Sequence, residues 1–161
     1  PYGLHRSRKE KFFTGEKIIS LRKCVLHPCF SYSDFDCYVT QTFYSIKTDR
    51  WNLKFLTGVL NSKVIEYWLK NKGKMQGENF QIDKEPLLEI PLPDTAVPQT
   101  KIEGLVDTII KSKNNDPSCE TSIDHHVYHL YDLTYEDVLI IDPETHITRE
   151  EYDAYQQREK S

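Results

Sequence analysis

Asn52-Leu53-Lys54-Phe55-Leu56-Thr57-Gly58-Val59-Leu60-Asn61-Ser62-Lys63-Val64-Ile65-Glu66-Tyr67-Trp68-Leu69-Lys70 is the stretch on which the fold turns. Its apolar residues Leu53, Leu56, Leu60, Val64 and Trp68 step by 3, 4, 4 and 4. That spacing keeps them on one helical face, so a helix is predicted from about Asn52 to Lys70. Upstream, Thr14-Gly15 is a turn signal and Lys17-Ile18-Ile19-Ser20-Leu21-Arg22 reads as a short buried strand. Phe35 to Lys47, rich in Tyr, Val, Thr, Phe and Ile, reads as one strand or two. Downstream, Gly73 and Gly77 flank a loop from Lys72 to Asn79, and an extended segment follows through Phe80 and Ile82.

The C-terminal part reads differently. Pro86 to Pro98 holds four of the eight prolines and is predicted to be extended rather than helical. Beyond it, Ile102, Leu105, Val106, Ile109 and Ile110 form an amphipathic helical stripe. Lys113 to Ser118 reads as a polar linker. A further helix is predicted over Ile123 to Tyr131, with Thr121 available as its cap. Thr134 with Asp137, and Thr148 with Glu151, have the spacing of capping boxes. The expected class is therefore α+β: a small mixed sheet with a packed central helix, followed by a helical tail. Residues 1–95 are expected to form one unit, with 1–13 as a basic arm or linker, and 96–161 an acidic helical extension.

At 161 residues the chain suits one domain, or one domain with a small appendage. A mean hydropathy of −0.62 and the lack of a long apolar run argue against a membrane span. Aromatics at 12% and hydrophobic residues at 38% are too rich for a disordered chain. The numbering starts at Pro1, the one methionine is Met75, and no signal-peptide pattern opens the sequence, so the chain reads as a piece of a longer protein.

The net charge of −4 is unevenly placed. Residues 1–76 hold 14 basic and 6 acidic side chains, a balance of +8; residues 77–161 hold 7 and 19, a balance of −12. Of the 19 aromatics, 14 also precede residue 81. Lysine and arginine interleaved with aromatics suit a nucleic-acid surface, since cations neutralise phosphates and rings stack on bases. The same pattern also fits an aromatic core under a solvated charged face.

Familiar catalytic patterns are missing from the sequence. It has no G-x-G-x-x-G, Walker-type glycine loop, H-E-x-x-H or G-x-S-x-G. No Asp or Glu is followed two residues later by Lys, so the [DE]-x-K element of many nucleases is missing too. Cys24, Cys29, Cys37 and Cys119, with His27, have loose metal spacing, and buried thiols in a reducing compartment are the expected reading. His125 and His129 stand i, i+4 on a helix and are read as an exposed face rather than a zinc pair. No catalytic, cofactor or metal residue is assigned.

Three segments carry a resemblance: Leu4-His5-Arg6-Ser7-Arg8-Lys9, Gly15-Glu16-Lys17-Ile18-Ile19-Ser20-Leu21-Arg22-Lys23, and Asn52 to Lys63. With them come Gly73-Lys74-Met75-Gln76-Gly77, Ile90-Pro91-Leu92-Pro93, and the tail Ile123-Asp124-His125-His126-Val127-Tyr128-His129-Leu130-Tyr131-Asp132-Leu133-Thr134. In order and spacing the sequence resembles the TaqI-like C-terminal specificity domain, the target recognition domain of N6-adenine DNA methyltransferases and fused type II restriction–modification enzymes. The resemblance implies a double-stranded DNA partner and an upstream catalytic methyltransferase domain in the same polypeptide. That domain would bind S-adenosyl-L-methionine, possess the [DN]-P-P-[YF] motif, and act on an extruded adenine. The nearest string here, Asp142-Pro143-Glu144, lacks the second proline and the aromatic. A cytoplasmic location and no membrane partner are expected.

On that resemblance, Arg6, Arg8 and Lys9 are candidate phosphate or groove contacts, or else a linker. Arg22 and Lys23 end the first strand and are candidates to face the duplex. Lys70, Lys72 and Lys74 gather where cations also complement a helix dipole. Gln76 and Asn79 have amides able to pair with adenine, and Lys74 can address guanine. Gln41 and Thr42 are weaker candidates, while Phe43, Tyr44 and Trp68 are expected in the core. A different reading is an interaction module that docks through its acidic helical tail, with the Ile102 to Ile110 stripe as the interface. An enzyme in its own right is the third.

Overall fold

The computed structural model describes residues 9–112 and 117–159, with side chains described to Tyr155. Arg6, Arg8 and most of the opening arm lie outside the described residues, as do residues 113–116 of the linker.

The first strands are β1 (Lys17–Leu21), β2 (Lys23–Val25), β3 (Phe30–Ser33) and β4 (Phe43–Ile46). A hairpin, β5 (Lys74–Gln76) and β6 (Asn79–Gln81), comes later in the chain. They form two antiparallel three-stranded sheets, ordered β3–β1–β4 and β2–β6–β5. The α+β class stands, but these two sheets replace the single mixed sheet expected. The reason lies at Arg22. Its N–H donates to Thr42 O at 3.0 Å and its carbonyl accepts from Ile82 N at 2.9 Å, so the chain passes from one sheet into the other at this residue.

Two strand expectations need correction. Only Phe43–Ile46 of the 35–47 stretch is strand, and Phe30–Ser33 is a strand the sequence pattern missed. β3 is held in place by a side chain: Asn61 Oδ1 accepts from Phe30 N at 3.0 Å, and its Nδ2 donates to Phe30 O at 2.7 Å. Lys17 is buried, its ammonium donating to the Gly15 carbonyl at 2.8 Å and to that of Phe35.

The predicted central helix is two helices, α1 (Leu53–Asn61) and α2 (Lys63–Lys72). Asn52 caps α1, its Oδ1 accepting from Lys54 N at 2.8 Å and Phe55 N at 3.2 Å. Ser62 then turns extended, with ψ 159°, and its hydroxyl donates to Val59 O at 2.7 Å rather than capping α2. A distant residue caps α2 instead, where Asp124 Oδ1 accepts from Lys63 N at 2.8 Å. Periodicity survives the break, because Leu56, Leu60, Val64 and Leu69 are all buried. A helix interruption of one residue leaves no mark in hydrophobic spacing.

A short helix, α3 (Lys84–Leu88), occupies the start of the segment expected to be extended. Pro86 is tolerated there because first-turn N–H groups have no intrahelical partner to lose. The tail comprises α4 (Thr100–Ser112), α5 (Pro117–Leu130), α6 (Tyr135–Ile141) and α7 (Arg149–Glu159). Both capping boxes form: Thr134 Oγ1 accepts from Asp137 N at 3.2 Å and Thr148 Oγ1 from Glu151 N at 3.2 Å. Thr121, expected as a cap, lies inside α5 and donates to Pro117 O at 2.9 Å.

One buried cluster runs from Ile18 of β1 through α1 and α2 to Tyr152 of α7, crossing the expected division near residue 95. In the α4 stripe, Ile102 and Val106 are buried, Leu105 and Ile109 pack half-buried against the same core, and Ile110 is exposed. The helices meet at Gly58, where a Cβ would lie 2.5 Å from Ile102 Cγ2 and 3.1 Å from Val106 Cγ2. Lys54 and Asp107 add an ion pair across the same crossing at 2.7 Å. His125 and His129 do not form an exposed face. They are half-buried against α7, with His129 stacked on Tyr152 at 4.1 Å and on Tyr155 at 4.6 Å between centroids. Of the cysteines, Cys24 and Cys119 are buried, Cys37 is half-buried and Cys29 is exposed, so buried thiols describe only part of the set.

Gly58→Ala is expected to destabilise by about 1–3 kcal/mol through overpacking, despite the better helix propensity of alanine. Gly104→Ala, on the open side of α4 where nothing lies within 4 Å, should instead gain up to about 1 kcal/mol. Denaturant unfolding of the two variants checks this contrast in sign. Burial also pushes the Asp124 carboxyl up to about 7, against the lowering effect of the Lys63 N–H and charge. A carboxyl raised this far stabilises while protonated, and that contribution is lost as pH rises through about 7. Stability should therefore fall progressively between about pH 4 and pH 7 and level off above that, and Asp124→Asn, which keeps the carbonyl acceptor, should flatten the fall. An equal slope in both proteins contradicts this account of Asp124.

Candidate nucleic-acid interface

The β2–β6–β5 sheet brings the sequence candidates together. Its register pairs Lys23 and Lys74 with Gln81, Cys24 and Met75 with Phe80, and Val25 and Gln76 with Asn79. Residues directly opposite in an antiparallel pair share a face, and side chains alternate along each strand. Lys23, Val25, Lys74, Gln76, Asn79 and Gln81 therefore lie on one face, and Cys24, Met75 and Phe80 on the other. Burial agrees. Phe80 is 3% and Cys24 4% exposed, whereas Lys23, Val25, Lys74, Gln76 and Asn79 are exposed. A sheet with one apolar face against the core must offer its second face to solvent, and here that face is cationic and amide-rich.

The hairpin turn is Gly77-Glu78, and Gly77 takes φ +63°, a conformation that favours glycine. What sequence reading treats as a loop from Lys72 to Asn79 is thus an ordered two-stranded ribbon. Lys70 and Lys72, both exposed, form the last turn of α2 immediately before β5. Gln76 and Lys74 do not act alone. Gln76 Nε2 donates to Gln81 Oε1 at 2.9 Å, Gln81 Nε2 donates to Asp83 Oδ1 at 3.1 Å, and Lys74 Nζ pairs with Asp83 Oδ2 at 3.2 Å. Gln81 and Asp83 are absent from the sequence candidates. Strand alternation would have placed Gln81 beside Lys74 and Asn79, had the β5–β6 pairing been legible.

Lys9, Arg22 and Gln41 gather elsewhere. They line a pocket of about 410 Å³ with Phe12, Phe13, Phe43, Tyr44 and Ser45. The Arg22 guanidinium lies over the Tyr44 ring at 5.3 Å. Phe43 and Tyr44 are half-buried, and Tyr44 and Trp68 pack against the core. Thr42 contributes its carbonyl to Arg22 N, and its hydroxyl meets Thr40 Oγ1 at 2.6 Å. The two groups of candidates communicate through Arg22, whose charge joins the Gln81 and Lys74 hydrogen bonds in holding Asp83 below the usual carboxylate range.

Other basic residues are occupied internally. Lys17 is buried, Lys47 donates to Thr14 O at 2.6 Å, Lys54 pairs with Asp107, and Lys63 lies 3.3 Å from Glu66. Asp142, in the nearest string to a methyltransferase motif, accepts from Tyr128 Oη at 3.2 Å and closes α6. Among the described residues no group of three or more His, Cys, Asp or Glu is arranged to hold a metal ion. Among them also, no helix is long and apolar enough to cross a membrane.

Curated proteins yield no match. A family model, the TaqI-like C-terminal specificity domain, matches residues 2–92, which takes in β1 to β6 and α1 to α3 and stops short of α4. With its sheets, its central helices and its cationic amide face all inside a match to more than half its length, the chain belongs to the family of TaqI-like C-terminal specificity domains, DNA sequence-specificity modules of restriction–modification enzymes.

Proposed function

We propose that this chain reads a short duplex DNA sequence through the outer face of the β2–β6–β5 sheet and positions it for an N6-adenine methyltransferase domain of the same polypeptide. The observation that carries the reading is the shared face of Lys23, Lys74, Gln76 and Asn79, backed by buried Phe80. A β-ribbon fits the major groove, where base edges offer a distinct donor and acceptor pattern. On this reading Lys23, Lys70, Lys72 and Lys74 address phosphates, while Gln76 and Asn79 address base edges. Lys9, Arg22 and Gln41 form a second contact zone at the aromatic pocket.

Catalysis belongs to the upstream domain. S-adenosyl-L-methionine would bind there, since this chain has neither a glycine-bearing cofactor loop nor an [DN]-P-P-[YF] string. The specificity domain holds the duplex in register while the target adenine leaves the stack. A fused endonuclease in the same polypeptide and a cytoplasmic working compartment are consistent with this assignment.

Lys72→Ala and Lys74→Ala should weaken duplex binding across all sequences, each lowering the slope of log affinity against log salt by about 1. Gln76→Ala and Asn79→Ala should instead change preference at single base pairs, by about 1–3 kcal/mol each. Fluorescence anisotropy over a salt series, with a panel of duplexes, separates the two effects. Absence of duplex binding at low salt, together with intact recognition by the parent enzyme carrying all four changes, contradicts the proposal.

A further inference from the structure

Gln81 and Asp83 lie beside the proposed base readers without themselves being assigned a DNA contact. Asp83 is an ionised carboxylate, held so by hydrogen bonds from Gln81 and Lys74 and by the charge of Arg22. A carboxylate only accepts hydrogen bonds. Gln81 must therefore turn its NH₂ group toward Asp83, at 3.1 Å, which leaves Gln81 Oε1 facing Gln76. That oxygen can only accept, so Gln76 must turn its own NH₂ group inward, at 2.9 Å. Side-chain amides are ordinarily ambiguous between two orientations. Here one fixed carboxylate removes the ambiguity twice in succession.

The outward consequence concerns Gln76. One N–H of Nε2 goes to Gln81, while Oε1 and the second N–H stay without partners among the described residues. A carbonyl oxygen beside an N–H is the complement of the adenine major-groove edge, with its N6 donor and N7 acceptor.

We infer that Asp83 is a positioning residue: through Gln81 it fixes the direction of the Gln76 amide, so that Gln76 presents an acceptor and a donor in a set order to an adenine. The inference rests on the DNA-reading role proposed above. The ion pair with Lys74 completes the device by compensating the negative charge that a phosphate-facing surface would otherwise disfavour. Exposed ion pairs of this kind yield readily, so Lys74 remains available to a phosphate.

Asp83→Asn keeps the shape and removes the constraint, because an asparagine meets Gln81 with either a donor or an acceptor. Two measurements on the full chain test the inference. In nitrogen-15 NMR without DNA, the side-chain amide signals of both Gln81 and Gln76 should shift in Asp83→Asn; a change confined to Gln81, or none, overturns the relay. In selection from a randomised duplex pool, the wild-type chain should prefer adenine at one position on the order of tenfold, the size of one bidentate contact. Gln76→Ala should abolish that preference. Asp83→Asn should cut it to about twofold while mean affinity for the pool holds or rises as Lys74 is released, a split that loss of folding would not produce. Duplex binding with the preference unchanged in Asp83→Asn overturns the relay alone. No duplex binding by the wild-type chain overturns the DNA reading and the role of Gln76 with it.

Discussion

Antiparallel registration of β2, β6 and β5 about Phe80 is the constraint on which the proposed DNA-facing surface depends. A strand has a period of two, so burying Cys24, Phe80 and Met75 on one side obliges Lys23, Lys74, Gln76, Asn79 and Gln81 to the other. A slip of one residue would send the amides into the core and Phe80 to solvent. The chemistry of the outer face and the hydrophobic effect on the inner face are thus one specification. Arg22 extends it: its backbone joins this sheet to β1 and β4, and its side chain reaches Tyr44 on one side while its charge bears on Asp83 on the other.

The helices are tied to the β3–β1–β4 sheet and to one another through a few polar anchors inside an apolar core. In Asn61-Ser62-Lys63 the three residues divide the work, since Asn61 binds β3, Ser62 ends α1, and the Lys63 N–H is capped by Asp124. Asp124 belongs to α5, beyond the family match, so the tail supplies a cap to a helix within it. Gly58 sets how closely α4 approaches α1. Recognition core and helical tail therefore share one hydrophobic cluster, although their charges differ in sign.

Much of this was legible in sequence, for local reasons. The α1–α2 stripe, the α4 stripe, β1 and both capping boxes follow from spacing alone. Ser62 was not legible as a break, because its extended backbone leaves hydrophobic periodicity intact on both sides. β3 was missed because its ladder with β1 and the Asn61 amide that binds Phe30 both come from elsewhere in the sequence. The Lys72 to Asn79 loop proved to be part of a hairpin, in which Lys74–Gln76 pairs with Asn79–Gln81, and only the further pairing of Asn79–Gln81 with Lys23–Val25 is long-range. Charge counting pointed to the half of the chain that the family match covers but overstated its free cations, since Lys17, Lys47, Lys54 and Lys63 are engaged within the fold. Gln76 and Asn79 were visible as amides; the Asp83 and Gln81 beside them become meaningful only once the strands are paired.

The central claim is that the outer face of β2–β6–β5 meets duplex DNA, and its most direct test is backbone NMR of the full chain during titration with a duplex at low salt. The account predicts signal changes concentrated at Lys23, Val25, Lys74 to Asn79 and Gln81, with smaller ones around Arg22 and Gln41. Changes confined to α4 through α7, with those strands silent while duplex binds, would contradict it.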